Sequence, residues 1–446
     1  MSDNLLQIEG NDFVAGGRKT VLRGLNIGSW LNLEHFMIGM PGADQRIRSE
    51  FASVFGKEAS AYFFDRLREN FVNEDDFKYF KMLGINILRL PFNYHFFLDD
   101  QRPGEYMDEG FKYLDFVIAL CEKYEIYVVL DLHTSPGGQN PDWHSDNITG
   151  IAQFWQYKVF RDQMTGLWRH VADHYKDCPY VAYDVLNEPF FIPDKNILFS
   201  FYDEVISAIR EADKKHIIFL EGDHFAMDFS GFPKSADPQV ALSFHFYPHV
   251  WNKDIEDINC DRKTRKKALK SALDPMVKAR DEYGGPLWCG EFGWIFEPGK
   301  ADFYAGMLED TLGLFEANNI SWTVWSYKDS RAMGLVFPKP GTAWIELTGK
   351  IRSKWSMDIE TQQAYTSLRK IAAMYFQPLE NKLEYELQFR LRAMFQEIYI
   401  SQILRPELNK LEKGSLEELA DSFLFKNCET QREIESLIKR YTQSYT

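Results

Sequence analysis

The segment YLDFVIALCEKYEIYVVLDLH (Tyr113–His133) indicates the class of fold, because it combines two hydrophobic periods in a short length of chain. Its first part, Tyr113–Tyr124, places apolar residues three and four apart, which indicates an amphipathic helix. Its second part, Ile126–His133, is a short apolar run that ends in polar residues, which indicates a strand buried on both faces. A helix followed by a buried strand is the repeating unit of a parallel α/β fold.

The same alternation continues in both directions along the chain. Including Ile126–His133, the predicted strands are Val21–Leu31, Ile85–Phe92, Ile126–His133, Val181–Asn187, His216–Glu221, Val240–Tyr247, Pro286–Gly293 and Ser321–Tyr327. The helical patterns between them include Asp75–Leu83, Tyr113–Tyr124, Phe154–Tyr175, Ile197–Lys214, Arg265–Tyr283 and Phe303–Asn318. Only the connection after the fifth strand, around Asp223–Asp237, lacks a clear helical pattern.

Eight strands separated by crossovers predict an α/β fold of the closed (β/α)8 type, the TIM barrel. An open doubly wound sheet is the alternative, but no GxGxxG follows an early strand. We expect the barrel to span residues 1–376, with Asp358–Met374 as its last helix. From about Leu379 the composition shifts to Leu, Glu, Lys and Arg at helical spacing. Residues 377–446 are therefore expected to form an all-helical C-terminal extension docked on the barrel.

Composition and charge disfavour two classes of binding partner, nucleic acids and membranes. The formal charge of −15 and the pI of about 5.2 disfavour binding to nucleic acid. No apolar run approaches the roughly 18 residues that a membrane span requires. The polar start, Met1–Thr20, lacks the pattern of a secretory signal, and the five cysteines are scattered singly. These features predict a cytoplasmic protein, and the sequence gives no indication of its oligomeric state.

The strand ends carry the candidate chemistry, because TIM-barrel enzymes place catalytic groups there. Glu188 follows the fourth strand and Glu291 lies near the end of the seventh, so the two should face each other across the barrel mouth. A retaining glycosidase needs such a pair, about 5–5.5 Å apart, with one acid to protonate the leaving oxygen and one nucleophile. We expect Arg89 and Tyr247 to contact Glu291 and keep it ionised. Glu188 has no evident cation, so we expect its pKa to be raised.

Taken together, the strand-end motifs resemble glycoside hydrolase family 5 of clan A over roughly Val21 to Trp325. They are RLP (89–91), DLH (131–133), LNEP (186–189), HFYP (245–248), GEFG (290–293) and Trp325. The resemblance implies an O-glycosyl hydrolase without a cofactor, with Glu188 as acid/base and Glu291 as nucleophile. It also implies the substrate-binding roles: Asn187 at the sugar 2-hydroxyl, Arg89 and Tyr247 orienting the nucleophile, His133 and His245 lining the subsite, and Trp325 as its stacking floor.

Two stretches are similar to a narrower branch, the fungal exo-β-1,3-glucanases. GLNIGSWLNLEHF (Gly24–Phe36) is similar to GVNLGGWLVLEPW, and DLHTSPGGQN (Asp131–Asn140) is similar to DLHGAPGSQN. The match implies that Glu34 binds hydroxyls of the terminal sugar, which favours exo action on β-glucosides or short β-glucans. The chain departs from this branch at Ser326–Asp329, in its helical tail and in lacking a secretory signal.

Other interpretations remain open from the sequence. Within the same chemistry, the chain could be an endo-acting β-glucanase or β-mannanase. A non-catalytic carbohydrate-binding barrel is the alternative from another class, although binding alone needs no nucleophile. A metal-dependent hydrolase is disfavoured because there is no HxH or HExxH spacing, and His95, His144 and His249 complete no ligand set. Trp143 and His144 either line the substrate rim or pack within their loop.

Overall fold

The computed structural model describes residues 4–297, 299–356 and 359–443. Three short antiparallel strands precede the barrel: β1 (Leu6–Glu9), β2 (Asp12–Ala15) and β3 (Arg18–Thr20). The barrel strands are β4 (Arg23–Asn26), β5 (Ile87–Phe92), β6 (Tyr127–Leu132), β7 (Val181–Asp184), β8 (Ile218–Glu221), β9 (Val240–Phe246), β10 (Leu287–Phe292) and β11 (Ser321–Val324). They pair in parallel in chain order, and β11 closes the barrel against β4. The predicted (β/α)8 barrel is therefore confirmed.

Helices surround the barrel and fill its C-terminal side. The α-helices are His35–Ile38, Asp44–Phe55, Lys57–Phe71, Glu74–Leu83, Phe111–Tyr124, Lys158–Tyr175, Lys195–Ala212, Lys253–Glu256, Arg262–Tyr283, Ala301–Ala317, Ala343–Arg352, Ile359–Tyr375, Asn381–Tyr399, Arg405–Leu408, Ser415–Asp421 and Arg432–Gln443. Within the described ranges, no helix has the length and apolarity needed to cross a bilayer. Asp358, the predicted start of the last barrel helix, lies outside the described residues.

Two connections between barrel strands show how the local sequence determines where a helix begins and ends. The helix Glu74–Leu83 begins at a capping box, in which the Asn73 side chain accepts from Asp75 N and Asp76 accepts from Asn73 N. It ends at Gly84, which takes the left-handed conformation that glycine adopts readily. The connection after β8 is different. It is described throughout, and its one helical element is a single turn over Asp223–Ala226.

The C-terminal extension shares the hydrophobic core of the barrel. Ile400, Leu404, Phe423 and Ile438 are buried in the same continuous cluster as the barrel side chains. The extension is not purely helical, because β13 (Cys428–Thr430) pairs antiparallel with β12 (Val336–Pro338), which follows the barrel. A three-residue strand has too few residues to show a period of two, which explains why the sequence did not predict it. The domain boundary at residue 376 stays a prediction.

Candidate active site

Arg89 lies at the centre of the barrel mouth and is fully buried. From β5, its Nε lies 3.1 Å from Asp184 Oδ2, and its Nη2 lies 3.1 Å from Asp131 Oδ2 and 2.7 Å from Asn187 Oδ1. Its Nη1 donates to Glu291. One guanidinium thus neutralises and orients several inward-facing acids, and the planar fork of arginine suits this task better than lysine would.

Glu291, on β10, is held by two donors. Besides Arg89, Tyr247 Oη donates to Glu291 Oε2 over 3.0 Å. The register between β10 and β9 shifts between Cys289 and Glu291, an irregularity of the kind that is common next to active sites. Both contacts that the sequence predicted for Glu291 are therefore present.

Glu188, after β7, is held by two histidines. His245 Nδ1 lies 2.7 Å from Oε1, and His144 Nε2 lies 2.9 Å from Oε2. The backbone of Glu188 has a φ of 50°, which is uncommon for a residue with a side chain, and its N–H donates to Glu221 Oε2 over 2.6 Å. The carboxylate is thus fixed from both the backbone and the side-chain end.

The two glutamates meet across the mouth. A carboxylate oxygen of Glu188, a ring nitrogen of His245 and a carboxylate oxygen of Glu291 lie within 4.8 Å of one another. This separation fits a retaining pair, whose carboxyl groups are about 5–5.5 Å apart, and leaves less room than the 6.5–9.5 Å that an inverting enzyme needs for its water. Three such ligand atoms could also hold a cation, but the Arg89 guanidinium already neutralises Glu291.

The predicted sugar-subsite residues form one wall beside this pair. His133 Nδ1 lies 2.7 Å from Asp131 Oδ2, its Nε2 lies 3.3 Å from Glu34 Oε1, and its ring stacks on Trp325 at 5.6 Å and 6°. The indole passes so close to Gly28 that a Cβ there would lie 2.9 Å from it. Glycine at this position of the GLNIGSW segment therefore allows the tryptophan to take its place.

Asn187 offers a free donor to this space. Its Oδ1 is taken by Arg89, whereas its buried Nδ2 has no hydrogen-bond partner among the described residues. His245 completes the wall, with its Nε2 3.1 Å from Glu221 Oε1. A buried amide donor without a partner is costly unless a ligand satisfies it, which fits the role that the resemblance implies for Asn187.

The sequence predicts that Glu188 has the higher pKa of the two glutamates, and this prediction is wrong. Burial raises the pKa of Glu188, but the hydrogen bonds from His144 and His245 hold it well below its ordinary value. Burial raises the pKa of Glu291, and His245 and Arg89 only oppose that rise. The expectation failed because the sequence did not reveal the two imidazoles that contact Glu188. Between Glu34 and Asp131, the pKa of His133 is raised to about 10.

Comparison with known proteins shows the family to which the chain belongs. The family model described as Cellulase (glycosyl hydrolase family 5) matches residues 50–331, which is more than half of the chain. The chain belongs to glycoside hydrolase family 5. It is 34% identical to a β-xylosidase of Phanerodontia chrysosporium over 95% of both chains. It is 28% identical to a probable glucan 1,3-β-glucosidase A of Aspergillus fumigatus, over 51% of this chain and 56% of the relative.

A solved endogalactoceramidase structure shares the fold, with a TM-score of 0.54 and 20% identity over 73% of this chain and 75% of that one. The family 5 membership makes the protein a retaining β-glycoside hydrolase, an O-glycosyl hydrolase that acts on β-linked carbohydrate. The predicted resemblance is thus confirmed.

Two residues of this family 5 site were missed or undervalued in the sequence. Glu221 ends β8 and accepts from Arg89 and from the backbone of Glu188. An acidic residue at a strand end was the signal that could have found it. For His144 the sequence does not distinguish a position on the substrate rim from packing within its loop. Its contact with Glu188 depends on the path of that long loop, which no hydrophobic periodicity predicts.

Proposed function

We propose that the protein is an exo-acting retaining β-glycosidase that releases one sugar at a time from β-glucosides or short β-glucans. Glu188 is its general acid/base and Glu291 its nucleophile. The observation that supports this proposal best is the close carboxylate pair at the base of a buried pocket. Cleavage proceeds by double displacement through a covalent glycosyl-enzyme at Glu291.

The nucleophile is oriented for attack. Arg89 and Tyr247 each occupy a different oxygen of Glu291, which fixes the plane of the carboxylate. Asn187 Nδ2 can donate to the sugar 2-hydroxyl, a contact that strengthens as the oxocarbenium-like transition state forms.

The acid step requires a proton on Glu188. His144 Nε2 lies 2.9 Å from Glu188 Oε2 and 3.0 Å from Asn140 Nδ2. When Nε2 carries the proton, it donates to the Glu188 carboxylate, and this contact lowers the pKa of Glu188. The pair His144–Glu188 can therefore hold the proton that the leaving oxygen receives and take it back from water in the second step.

Exo action is supported by a wall behind Glu34. The carboxylate of Glu34 is nearly inaccessible, and the next residue, His35, packs edge-on against Trp143 at 4.7 Å and in a tilted arrangement against Trp355 at 5.7 Å. The loop that carries Trp143 is fastened by Asn32 Nδ2, which donates to His144 O over 2.7 Å. A polysaccharide could not thread past this layer, so a terminal sugar fits better than an internal one.

Xylose is the second candidate for the released sugar, because the relative that matches 95% of the chain is named a β-xylosidase. Glucose differs from xylose by a hydroxymethyl group, and discrimination by one such group in a pocket is about 10–200-fold. Measuring kcat/KM on aryl β-glucoside, β-xyloside, β-mannoside and β-galactoside with the same aryl group will separate the candidates. A mannoside preference would overturn the proposed sugar.

The catalytic roles are tested with a 2-deoxy-2-fluoro glycoside of the preferred sugar. It should add its sugar mass to the peptide that contains Glu291, and Glu291→Gln should prevent the labelling and lower kcat by about 10⁴-fold or more. The exposed Glu346→Gln is the matched control and should leave both unchanged. Labelling of any other residue would refute the nucleophile assignment, and equal inertness of parent and variant on all glycosides would favour a binding protein.

The exo claim is tested by a time course on short β-glucans. Monosaccharide should be the earliest product, whereas an early ladder of oligosaccharides would indicate endo action.

We also propose a cytoplasmic location, which is supported by the five unpaired cysteines. Cell fractionation tests that location, and recovery in the secreted fraction would contradict it.

A further inference from the structure

A cavity of about 980 Å³ adjoins the catalytic pair, and its lining includes His245, which contacts Glu188, and Tyr247, which contacts Glu291. Its walls come from the segments after β6, β7, β8 and β9, from the helix Arg262–Tyr283 and from the helix Asn381–Tyr399 of the C-terminal extension. The lining is mainly apolar, and its principal side chains are Phe190, Phe191, Phe225, Met276, Tyr385 and Phe389. A volume of this size is at the upper end of the range for small-molecule sites, about 300–1,000 Å³.

Aromatic rings connect this cavity to the acid/base side of the active site. Phe225 lies 6.1 Å from the ring of His144, which contacts Glu188, and 4.4 Å from the ring of Phe190. Phe190 in turn packs on Phe191 at 4.2 Å, and Phe191 lies 6.1 Å from Phe389 of the helix. The series leads away from the acid/base, which is the side on which the leaving group departs.

The polar groups of the cavity do not match a sugar. Arg392 Nη1 donates to both carboxylate oxygens of Asp142, over 2.7 and 2.8 Å, and Asp223 accepts from the backbone of His224 over 2.7 Å. Asn381 and Lys382 lie exposed at the rim. Sugar recognition needs several inward-facing donors and acceptors, as in the subsite around Glu34, whereas the described lining of this cavity offers mostly carbon.

Backbone strain occurs in two segments that contribute to the cavity wall. Phe191, His224, Phe225 and Ala226 all have φ between 57° and 62°. Each such conformation costs roughly 1–2 kcal/mol for a residue with a side chain, and strain of this kind clusters at ligand sites. Phe225 N donates to Pro189 O over 3.2 Å, which ties this turn directly to the segment that carries Glu188.

The helix Asn381–Tyr399 is closely fitted to the catalytic loop, so it is a fixed wall of the cavity. Arg392 pairs with Asp142, two residues before His144. Gly150 of the same loop has a φ of 68°, and a Cβ there would lie 2.5 Å from the carbonyl oxygen of Phe389. Only glycine permits this approach, so the loop sequence fits the position of the helix.

We propose that this cavity is the leaving-group site and that it takes an apolar, ring-containing aglycone, with the helix Asn381–Tyr399 as its outer wall. This inference rests on the proposed function, because the leaving group is defined by the position of Glu188. The substrate class is accordingly a β-glycoside of an aromatic or fused-ring alcohol, bound with its sugar at Glu34 and its aglycone at Phe190, Phe225 and Phe389.

The test uses S-glycosides of the sugar that the enzyme prefers, because inhibition by these slowly cleaved analogues reports binding without the chemistry of the leaving group. We expect the 2-naphthylmethyl thioglycoside to inhibit at least about ten-fold more strongly than the methyl thioglycoside. Phe389→Ala should weaken the naphthylmethyl compound about ten-fold and the methyl compound less than two-fold. Met394→Ala, on the same helix but 67% exposed and outside the cavity, is the matched control and should leave both Ki values unchanged.

Three results would overturn the proposal. They are equal inhibition by the two thioglycosides, tighter binding of a thio-linked disaccharide than of the naphthylmethyl compound, and an equal loss for both compounds in Phe389→Ala. Each leaves hydrolysis by Glu188 and Glu291 intact and so leaves the proposed function standing. Failure of the proposed function is distinguished by absent turnover on every aryl glycoside, whatever the affinities for the thioglycosides.

Discussion

Replacing the buried Lys328 with methionine is expected to lower the free energy of unfolding by about 3–5 kcal/mol, the cost of breaking a buried ion pair from one side. The ammonium lies 2.6 Å from Asp76 Oδ1, 2.7 Å from Phe71 O and 3.0 Å from Phe423 O, and neither charged side chain is exposed. Methionine is of similar length, so the loss reports charge and hydrogen bonds more than volume. The change leaves the Asp76 carboxylate buried without its counter-ion.

This magnitude is large enough to measure. It is about a fifth or more of the 5–15 kcal/mol by which proteins are usually stable. With an unfolding entropy of about 2.1 cal/mol/K per residue, the 446 residues correspond to a decrease in Tm of roughly 3–5 °C. Urea unfolding followed by tryptophan fluorescence gives the free energy, and a thermal scan gives Tm.

The control is Lys339→Met, because the exposed Lys339 also donates to a carbonyl of the extension, Lys426 O, over 2.7 Å. Its cost should stay within about 0.5 kcal/mol. The double variant Lys328→Met/Asp76→Asn removes both charges and keeps an acceptor for the helix cap, so it should cost about 1–3 kcal/mol less than the two single changes added together. The reasoning is refuted if Lys328→Met behaves like the control or if the double variant is simply additive.

Three further outcomes are expected. His144→Ala removes a hydrogen bond that lowers the pKa of Glu188, so the acid should stay protonated to higher pH and the basic limb of the kcat/KM profile should move upward; an unmoved limb would contradict this. Activity should survive dialysis against EDTA, since the Arg89 guanidinium already neutralises Glu291; activity that is lost on dialysis and restored by a divalent metal would contradict this. A chain ending at Pro378 should aggregate, because the ring of Trp344 packs on Phe423 at 4.8 Å; a monomeric, cooperatively folded product would show that the extension is a separate domain.

The barrel was predictable because its signals are strong and repeated. Each buried strand is an apolar run that ends in polar groups, as in Ile126–His133, and only a closed parallel barrel places so many such ends at one mouth. The N-terminal sheet β1–β3 was not predicted, and the segment Met1–Thr20 was interpreted only as polar. Its strands have three or four residues each, which is too short for a period of two to stand out.

Some features of the candidate site could likewise be predicted from the sequence, and others could not. The pairing of Glu188 with Glu291 follows from strand topology and could be predicted, and so could the contacts of Arg89 and Tyr247. The pKa order could not, because it depends on His144, whose loop is placed by tertiary contacts such as Asn32 to His144 O. Strand positions are encoded by local pattern, whereas loop positions are encoded by partners far away in the chain.

The departure from the exo-glucanase branch after Trp325 and the presence of the helical extension are one structural feature. Tyr327 Oη donates to Asp76, Lys328 reaches the carbonyl of Phe423 in the extension, and Asp329 accepts from the backbone of Met333 over 2.6 Å. None of these three side chains points to the sugar subsite; each fastens the barrel end to its surroundings. An extension that forms a wall of the leaving-group cavity must be held in place, and Lys328 contributes to this because its ammonium, paired with Asp76, also donates to Phe423 O. The divergent segment therefore serves the aglycone side of the site indirectly, by fixing the extension that bounds it.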